Sequence, residues 1–319
     1  MRAVVMTGPG GPDVLVPSVV DSPPSAIGEV LVRVSAAGVN PIDLKTRAGA
    51  GAAALIKAYP AILGVDFAGV VEKSAFDAHP FQPGDAVYGM VSVPRVGGGY
   101  AEYVTVPAVS IARAPVSLTL TESGAIPCAA LTAWGCIVTV GKVQPGQRVL
   151  IHAGAGGVGH FAVQFARLAG AHVVATASES NTDWLKELGA HEVIDYRSTR
   201  FEEVTDNIDL VVDLIGNVHD NTGTRSLSVL RSDGLLINVP TGSWPTFRDE
   251  AAAAGMRATD IKALSATAEL TEIVELIDAG AVTVHIDREF PLEDAADAHR
   301  LLSEGHTRGK IVLQVREPG

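Results

Sequence analysis

Cysteine is nearly absent from this 319-residue chain. Only Cys128 and Cys136 occur, in one short segment, which excludes a disulfide framework. Positive charge is in deficit, with 24 Lys and Arg against 36 Asp and Glu and a formal net charge of -12. An acidic surface repels phosphate backbones, so nucleic acid is excluded as the main partner. No apolar run approaches the length that spans a bilayer, so no membrane partner is expected. The opening residues MRAVVM read as a strand and lack a signal-peptide pattern, which leads to the expectation of a soluble cytoplasmic protein. The nine histidines form no H-E-x-x-H pair, and a four-cysteine cluster is missing. No repeat occurs, and low complexity is limited to an alanine run at 251–254. What is present is a chain 47% hydrophobic and 19% charged, long enough for two domains with sizeable cores.

The most informative stretch runs from Val149 to Gly170 and reads VLIHAGAGGVGHFAVQFARLAG. Val149 to His152 has the apolar character of a buried strand. Gly154, Gly156 and Gly159 follow at the spacing G-x-G-x-x-G, with Ala155, Gly157 and Val158 between them. Val158, Phe161, Ala162, Phe165, Leu168 and Ala169 then fall on one helical face, and Gly170 closes the helix. His172 to Ala175 begins the next strand. Within such a strand–loop–helix–strand unit each glycine has a task. One permits a tight turn, the second lets the backbone approach a pyrophosphate, and the third lets helix and strand pack closely. The free N–H groups of the helix start add positive partial charge. The alternative is a glycine-rich turn without a ligand.

The rest of the chain divides at about residue 119. Before it, strand candidates at Arg2–Met6, Val30–Ser35, Phe67–Glu72, Ala86–Tyr88 and Ala101–Val106 alternate with turns such as Pro83-Gly84-Asp85, an all-β pattern. After it, Thr121 begins a helical segment that extends to Val140. Strands at Glu192–Ile194, Asp209–Ile215, Gly234–Val239 and Met256–Ala258 alternate with helices at Thr182–Leu188, His219–Leu230 and Thr246–Ala254. That alternation predicts a doubly wound parallel sheet, so the fold class is α/β. A helix around Leu270–Ile277, a strand at Val282–Ile286, a helix at Leu292–Leu302 and a strand at Lys310–Val315 end the chain.

Several motifs then line up. They are Gly38-Val39-Asn40-Pro41-Ile42-Asp43, Leu63-Gly64-Val65-Asp66-Phe67-Ala68-Gly69, Gly84-Asp85-Ala86-Val87-Tyr88-Gly89, Gly99-Tyr100-Ala101-Glu102-Tyr103, Leu131-Thr132-Ala133-Trp134, Ile194-Asp195-Tyr196 and Arg308-Gly309-Lys310. In this order they resemble the zinc-independent quinone oxidoreductase-like branch of the medium-chain dehydrogenase/reductase superfamily. The resemblance implies a GroES-like catalytic domain over 1–118 and a Rossmann cofactor-binding domain over 119–258. It also implies that 259–319 completes the first domain, that the active site lies between the domains, and that the protein is a homodimer.

The resemblance also locates candidate residues. In zinc-dependent relatives three ligand positions correspond here to Asn40, Val65 and Cys128, so no metal is expected, because one thiolate cannot hold a catalytic zinc. Cys128 is then read as a small buried hydrophobe. Asn40 is implied near the nicotinamide and the substrate, or else it caps the turn before Pro41. Lys45 is the cation of that segment, either a donor to a developing oxyanion or a solvated lysine. Thr132 either faces the cofactor or bonds its own helix. Leu214 and Gly216 end one strand, with Gly216 expected to make room for ribose or phosphate, and Pro240 and Thr241 follow the next, where open α/β sheets bind ligands. Arg308 and Lys310 complete the implied cofactor contacts.

The strand after the glycine loop ends in Thr176-Ala177-Ser178, without the acid that binds the ribose hydroxyls of NADH. This points to NADPH, with NADH possible. Glu179 opposes a phosphate, and no Lys or Arg lies between Thr176 and Asp183. Ser178, Asn181, Tyr196 and Arg200 are the remaining phosphate-binding candidates, although Asn181 serves equally to cap the following helix. The function implied is hydride transfer to a small quinone, enone or enoyl thioester. A non-catalytic NADPH-binding or structural protein and a zinc-type alcohol dehydrogenase are the alternatives.

Overall fold

The structure is a computed structural model and describes residues 1–24, 26–91, 95 and 97–316. Two compact units divide the chain. The first comprises Met1–Leu131 together with the chain from Leu264 onward, and the second comprises Thr132–Ala263. The division falls later than the change of pattern at residue 119, because the segment from 119 to 131 packs with the first unit.

In the first unit β1 (Arg2–Met6), β2 (Leu15–Val19) and β3 (Glu29–Val39) precede a helix, α1 (Pro41–Arg47). The sequence reading missed α1, since its seven residues sit among glycines and strands. Then come β4 (Ala61–Ile62), β5 (Asp66–Lys73), β6 (Ala86–Met90), β7 (Tyr103–Pro107), β8 (Ile111–Arg113), α2 (Leu120–Gly124) and α3 (Pro127–Trp134). A capping box starts α2. Glu122 N–H donates to Thr119 Oγ1 at 3.2 Å, and Thr119 N–H donates to Glu122 Oε2 at 2.8 Å.

The second unit continues from α3 through one turn of π-helix, Gly135–Thr139. It contains β9 (Arg148–Ile151), α4 (Gly159–Leu168), β10 (His172–Ala177), α5 (Thr182–Leu188), β11 (Glu192–Asp195) and β12 (Ile208–Asp213). It ends with α6 (Thr222–Ser226), β13 (Leu230–Asn238), α7 (Phe247–Ala253) and β14 (Arg257–Asp260). The helix expected at His219–Leu230 shrinks to α6 and a 3-10 turn, because strand pairing claims Leu230 opposite Ile208. All pairs in this six-stranded sheet are parallel, in the order β11-β10-β9-β12-β13-β14. Consecutive residues of its central strands are buried on both faces, as a sheet covered by helices requires. Leu168 is 43% exposed, so the apolar face expected for α4 stops short of it.

The chain then returns to the first unit with α8 (Thr267–Asp278), β15 (Ile286–Pro291), α9 (Ala295–Ser303) and β16 (Lys310–Gln314). The strand expected at Val282–Ile286 begins instead at Ile286. β16 pairs antiparallel with β3, Ile311 opposite Val39, and extends a sheet ordered β15-β16-β3-β5-β6-β8, with β7 also on β3. Its core gathers Val32, Val34, Phe67, Val87, Tyr100, Ile111, Ile311 and Leu313.

The sharp turn after β9 falls on Ala153, at φ 49°, and on none of the three glycines of the loop. Its N–H donates to Thr176 Oγ1 at 3.2 Å, and Gly154 N–H donates to Thr176 O at 2.9 Å. A left-handed conformation costs an L-residue about 1–2 kcal/mol, and glycine gives back part of that as unfolded-chain entropy. Ala153→Gly should therefore stabilise the protein by about 0.5–1 kcal/mol. A higher guanidinium midpoint at unchanged slope would register the gain.

Candidate active site

In the second unit the predicted residues collect along one edge of the sheet. The glycine loop leaves the C-terminal end of β9, Ser178 that of β10, and Tyr196 that of β11. Leu214 and Gly216 follow β12, and Pro240 and Thr241 follow β13. In a parallel sheet these ends form the ligand-binding side. A Cβ on Gly159 would lie 2.2 Å from Ala153 O, so this position tolerates only glycine. A Cβ on Gly156 would meet only Ala153 O, at 3.3 Å, and otherwise open space. An open backbone face followed by the start of α4 fits a pyrophosphate. Ala155 is buried, while Gly157 and Val158 are half-buried.

Other expectations change. A Cβ on Gly216 would lie 2.0 Å from Ser243 Oγ, so this glycine, at φ 72°, makes room for Ser243 and not for a ribose. Asn181 occupies the cap position of α5, yet its Nδ2 donates to Ser178 Oγ at 3.0 Å instead of capping. Arg200 is paired with Glu202 at 2.9 Å, which removes it from the phosphate candidates. Thr241 Oγ1 accepts from Lys262 Nζ at 3.4 Å.

In the first unit a buried polar cluster surrounds Asn40. Its Nδ2 donates to Asp66 Oδ2 at 2.8 Å, and its Oδ1 accepts from Lys310 Nζ. Lys310 also donates to Val39 O at 3.1 Å and lies 3.5 Å from Asp66 Oδ2. The ammonium therefore has its donors engaged within the protein, which corrects its reading as a cofactor ligand. Asn40 is 3% exposed and starts α1, while Asp43 Oδ2 accepts from the Asn40 N–H at 3.0 Å. Of the two lysines, Lys310 is the buried one, whereas Lys45 is half-buried on α1. Asp66 Oδ1 accepts from Cys128 N–H at 2.7 Å. Cys128 is partly exposed, contrary to the expectation of a buried side chain. Arg308 is half-buried just ahead of β16, and Thr132 is buried on α3.

Behind Asn40 runs a chain of buried groups that sequence reasoning did not single out. Tyr100 Oη lies 3.0 Å from His299 Nε2, and His299 Nδ1 lies 3.3 Å from Arg47 Nη1. Arginine can only donate, so Nδ1 accepts and the single proton of neutral His299 sits on Nε2. Nε2–H then donates to Tyr100, whose own hydrogen is left for the neighbouring Asp43. Burial, and next the charge of Asp66, push Asp43 up to about 7. Burial also raises Asp66, against the opposing pull of Lys310 and Asn40. Burial, with Arg47 adding to it, holds His299 down to about 3. Sequence separations as large as 252 residues hid this chain.

The donor set does not fit zinc. Val65 offers no ligand atom, the Asn40 amide and both Asp66 oxygens are engaged, and the Lys310 ammonium repels a cation. Residues 26–116 match the alcohol dehydrogenase GroES-like domain, and residues 188–313 match the zinc-binding dehydrogenase family. The mitochondrial NAD(P)H oxidoreductase RTN4IP1 of Mus musculus is 35% identical, over 90% of this chain and 82% of its own. The chain belongs to the quinone oxidoreductase-like branch of the medium-chain dehydrogenase/reductase superfamily. The 2-methylene-furan-3-one reductase of Solanum lycopersicum is 32% identical over 98% of this chain and 79% of its own. The quinone oxidoreductase structure from Coxiella burnetii superposes with a TM-score of 0.94, at 35% identity and 99% coverage of both chains. That of Escherichia coli quinone oxidoreductase complexed with NADPH gives 0.88, at 26% identity, over 98% of this chain and 100% of its own. As a member of this branch the chain is an NADPH-dependent oxidoreductase. Among the described residues no helix is long and apolar enough to cross a membrane.

Two predictions follow from the buried cluster. Lys310→Met should cost about 3–5 kcal/mol, since it strands the Asp66 carboxylate in the interior. Adding Asp66→Asn should restore part of that loss in chemical denaturation. The second concerns pH. Unfolded histidine takes up a proton near 6.5, whereas native His299 refuses it until about 3. Its contribution is thus complete above pH 6.5 and is lost as pH falls toward 3, by about 2 kcal/mol at pH 5. Asp43 acts with the opposite sign, its contribution being lost as pH rises from 3.8 through about 7. His299→Gln should therefore be less stable at pH 7.5 yet lose less on acidification to pH 5, as denaturation midpoints would show.

Proposed function

We propose that this protein reduces quinones or activated C=C bonds, such as enones and enoyl thioesters, with NADPH and without zinc. What supports the reading is, in the second unit, the open Gly156 backbone face and, in the first unit by itself, a cluster organised by the Lys310 ammonium instead of a metal ligand set. NADPH supplies the hydride. The Gly154–Gly159 loop and the start of α4 hold the pyrophosphate, and Pro240 and Thr241, after the end of β13, offer backbone groups to the nicotinamide carboxamide. Thr132, Leu214 and Arg308 belong to the same proposed set. Asn40 and Lys310 keep the loop before α1 in one arrangement, since each amide end meets a fixed charge. Lys45 is the cation we assign to the oxygen on which charge builds after hydride addition. Reduction of a conjugated acceptor places that charge on a remote oxygen, which one ammonium can stabilise in place of a Lewis acid. The relatives named for quinone and enone reduction support this substrate class. We further infer a cytoplasmic homodimer acting on a small molecule, testable by localisation and light scattering.

The deciding experiment follows NADPH oxidation across a panel of quinones, enones and enoyl thioesters, with and without chelator. Turnover that persists in chelator is expected. One zinc per chain, removable with loss of turnover, would overturn the proposal. Gly156→Val should fold like the wild type but abolish detectable NADPH binding, because a branched side chain fills the pyrophosphate face.

A further inference from the structure

The turn after β10 lacks the base that would attract a 2′-phosphate, but the neighbouring turn carries one. Asp195 closes β11 opposite Ala177, and Tyr196 N–H donates to Ala177 O at 3.2 Å. Tyr196 and Arg197 therefore stand beside Ser178, one strand spacing away, about 4.8 Å. Tyr196 is 55% exposed, and the guanidinium of Arg197 lies over its ring, 5.8 Å from the centroid. Arg197 N–H donates to Asp195 Oδ1 at 3.1 Å, which fixes the backbone of the turn. On the β10 side Ser178 Oγ lies 3.2 Å from Ser180 Oγ and accepts from Asn181 Nδ2.

Among the described residues Arg197 makes no ion pair, whereas Arg200 is engaged by Glu202 and Glu203. Glu179 and Asp195 are the acids near this edge, and neither pairs with the Arg197 side chain. A guanidinium lying against a ring keeps its N–H edges outward and gives up less freedom on meeting an anion than a solvated side chain does. Those edges match two oxygens of a phosphate.

We propose that Arg197, held against Tyr196, is the residue that selects NADPH over NADH by engaging the 2′-phosphate across the hydroxyls of Ser178 and Ser180. The selecting charge thus comes from the turn after the third strand of the unit, β11, and offsets Glu179 after the second, β10. The inference rests on the dinucleotide reading of the glycine loop. The test measures dissociation constants by calorimetry for NADPH, NADH and the fragment 2′,5′-ADP, at low and high salt, on wild type, R197Q and R200Q. R197Q should weaken NADPH and 2′,5′-ADP about tenfold, leave NADH within about twofold, and flatten the salt dependence of NADPH binding. R200Q should leave all three near the wild-type values. Unchanged NADPH affinity in R197Q, equal weakening of both dinucleotides, or the selective loss appearing in R200Q instead would overturn it. Failure of the wild type to bind either dinucleotide would overturn the glycine-loop reading, and this inference with it. NADH binding that survives R197Q keeps the two failures apart.

Discussion

One buried ammonium organises the first unit. Lys310 lies at the start of the last strand, Asn40 after the end of β3, Asp66 at the start of β5, and Cys128 in the first turn of α3. The polar contacts among them tie four distant segments to one point. In an interior of low dielectric such a charge is tolerable only when its donors and counter-charge are all in place, so the arrangement is close to all-or-none. The orientation of the Asn40 amide, the entry into α1 and the docking of β16 follow from that constraint.

The second unit rests on a different principle. Its strands are parallel and buried, and the proposed cofactor contacts lie where they end. Little side-chain charge is needed in the glycine loop, because backbone N–H groups and the start of α4 supply positive potential. Ala153 bears the strained conformation at the turn, which leaves Gly156 with nothing to do but stay small. Side-chain selectivity is displaced to the periphery, at Ser178, Tyr196 and Arg197.

Much of this was legible in the sequence. Strand–helix alternation and the spacing of Gly154, Gly156 and Gly159 are local signals, and they gave the parallel unit and its loop. The motifs around Asn40 and Asp66 marked those residues one by one, but not the polar cluster that joins them to Lys310. Lys310 and Lys45 look alike as letters, and only burial separates an internal counter-charge from a half-exposed lysine. Arg47, Tyr100 and His299 were invisible because their contacts close loops of up to 252 residues. Gly216 was misread since its neighbour, Ser243, arrives from another strand end. Arg197 was passed over in favour of Tyr196 and Arg200 of the same turn, because sequence alone shows neither the Glu202 partner that engages Arg200 nor the Arg197 guanidinium over the Tyr196 ring.

The return of the chain to its first unit has a bearing on synthesis. β16 is made after the whole of the second unit, yet it pairs with β3 and carries the counter-charge for Asp66. During translation residues 1–131 of the first unit are present early, while the edge of β3 over Ala36–Val39 lacks its partner strand until Lys310–Gln314 emerges. The second unit, Thr132–Ala263, is contiguous in sequence and emerges in the interval. Order of emergence and order of completion are thus reversed, and an incomplete chain exposes both an unpaired strand edge and a carboxylate without its cation. A product that stops before Lys310 would then be marked by its own instability, a check that resides in the topology itself.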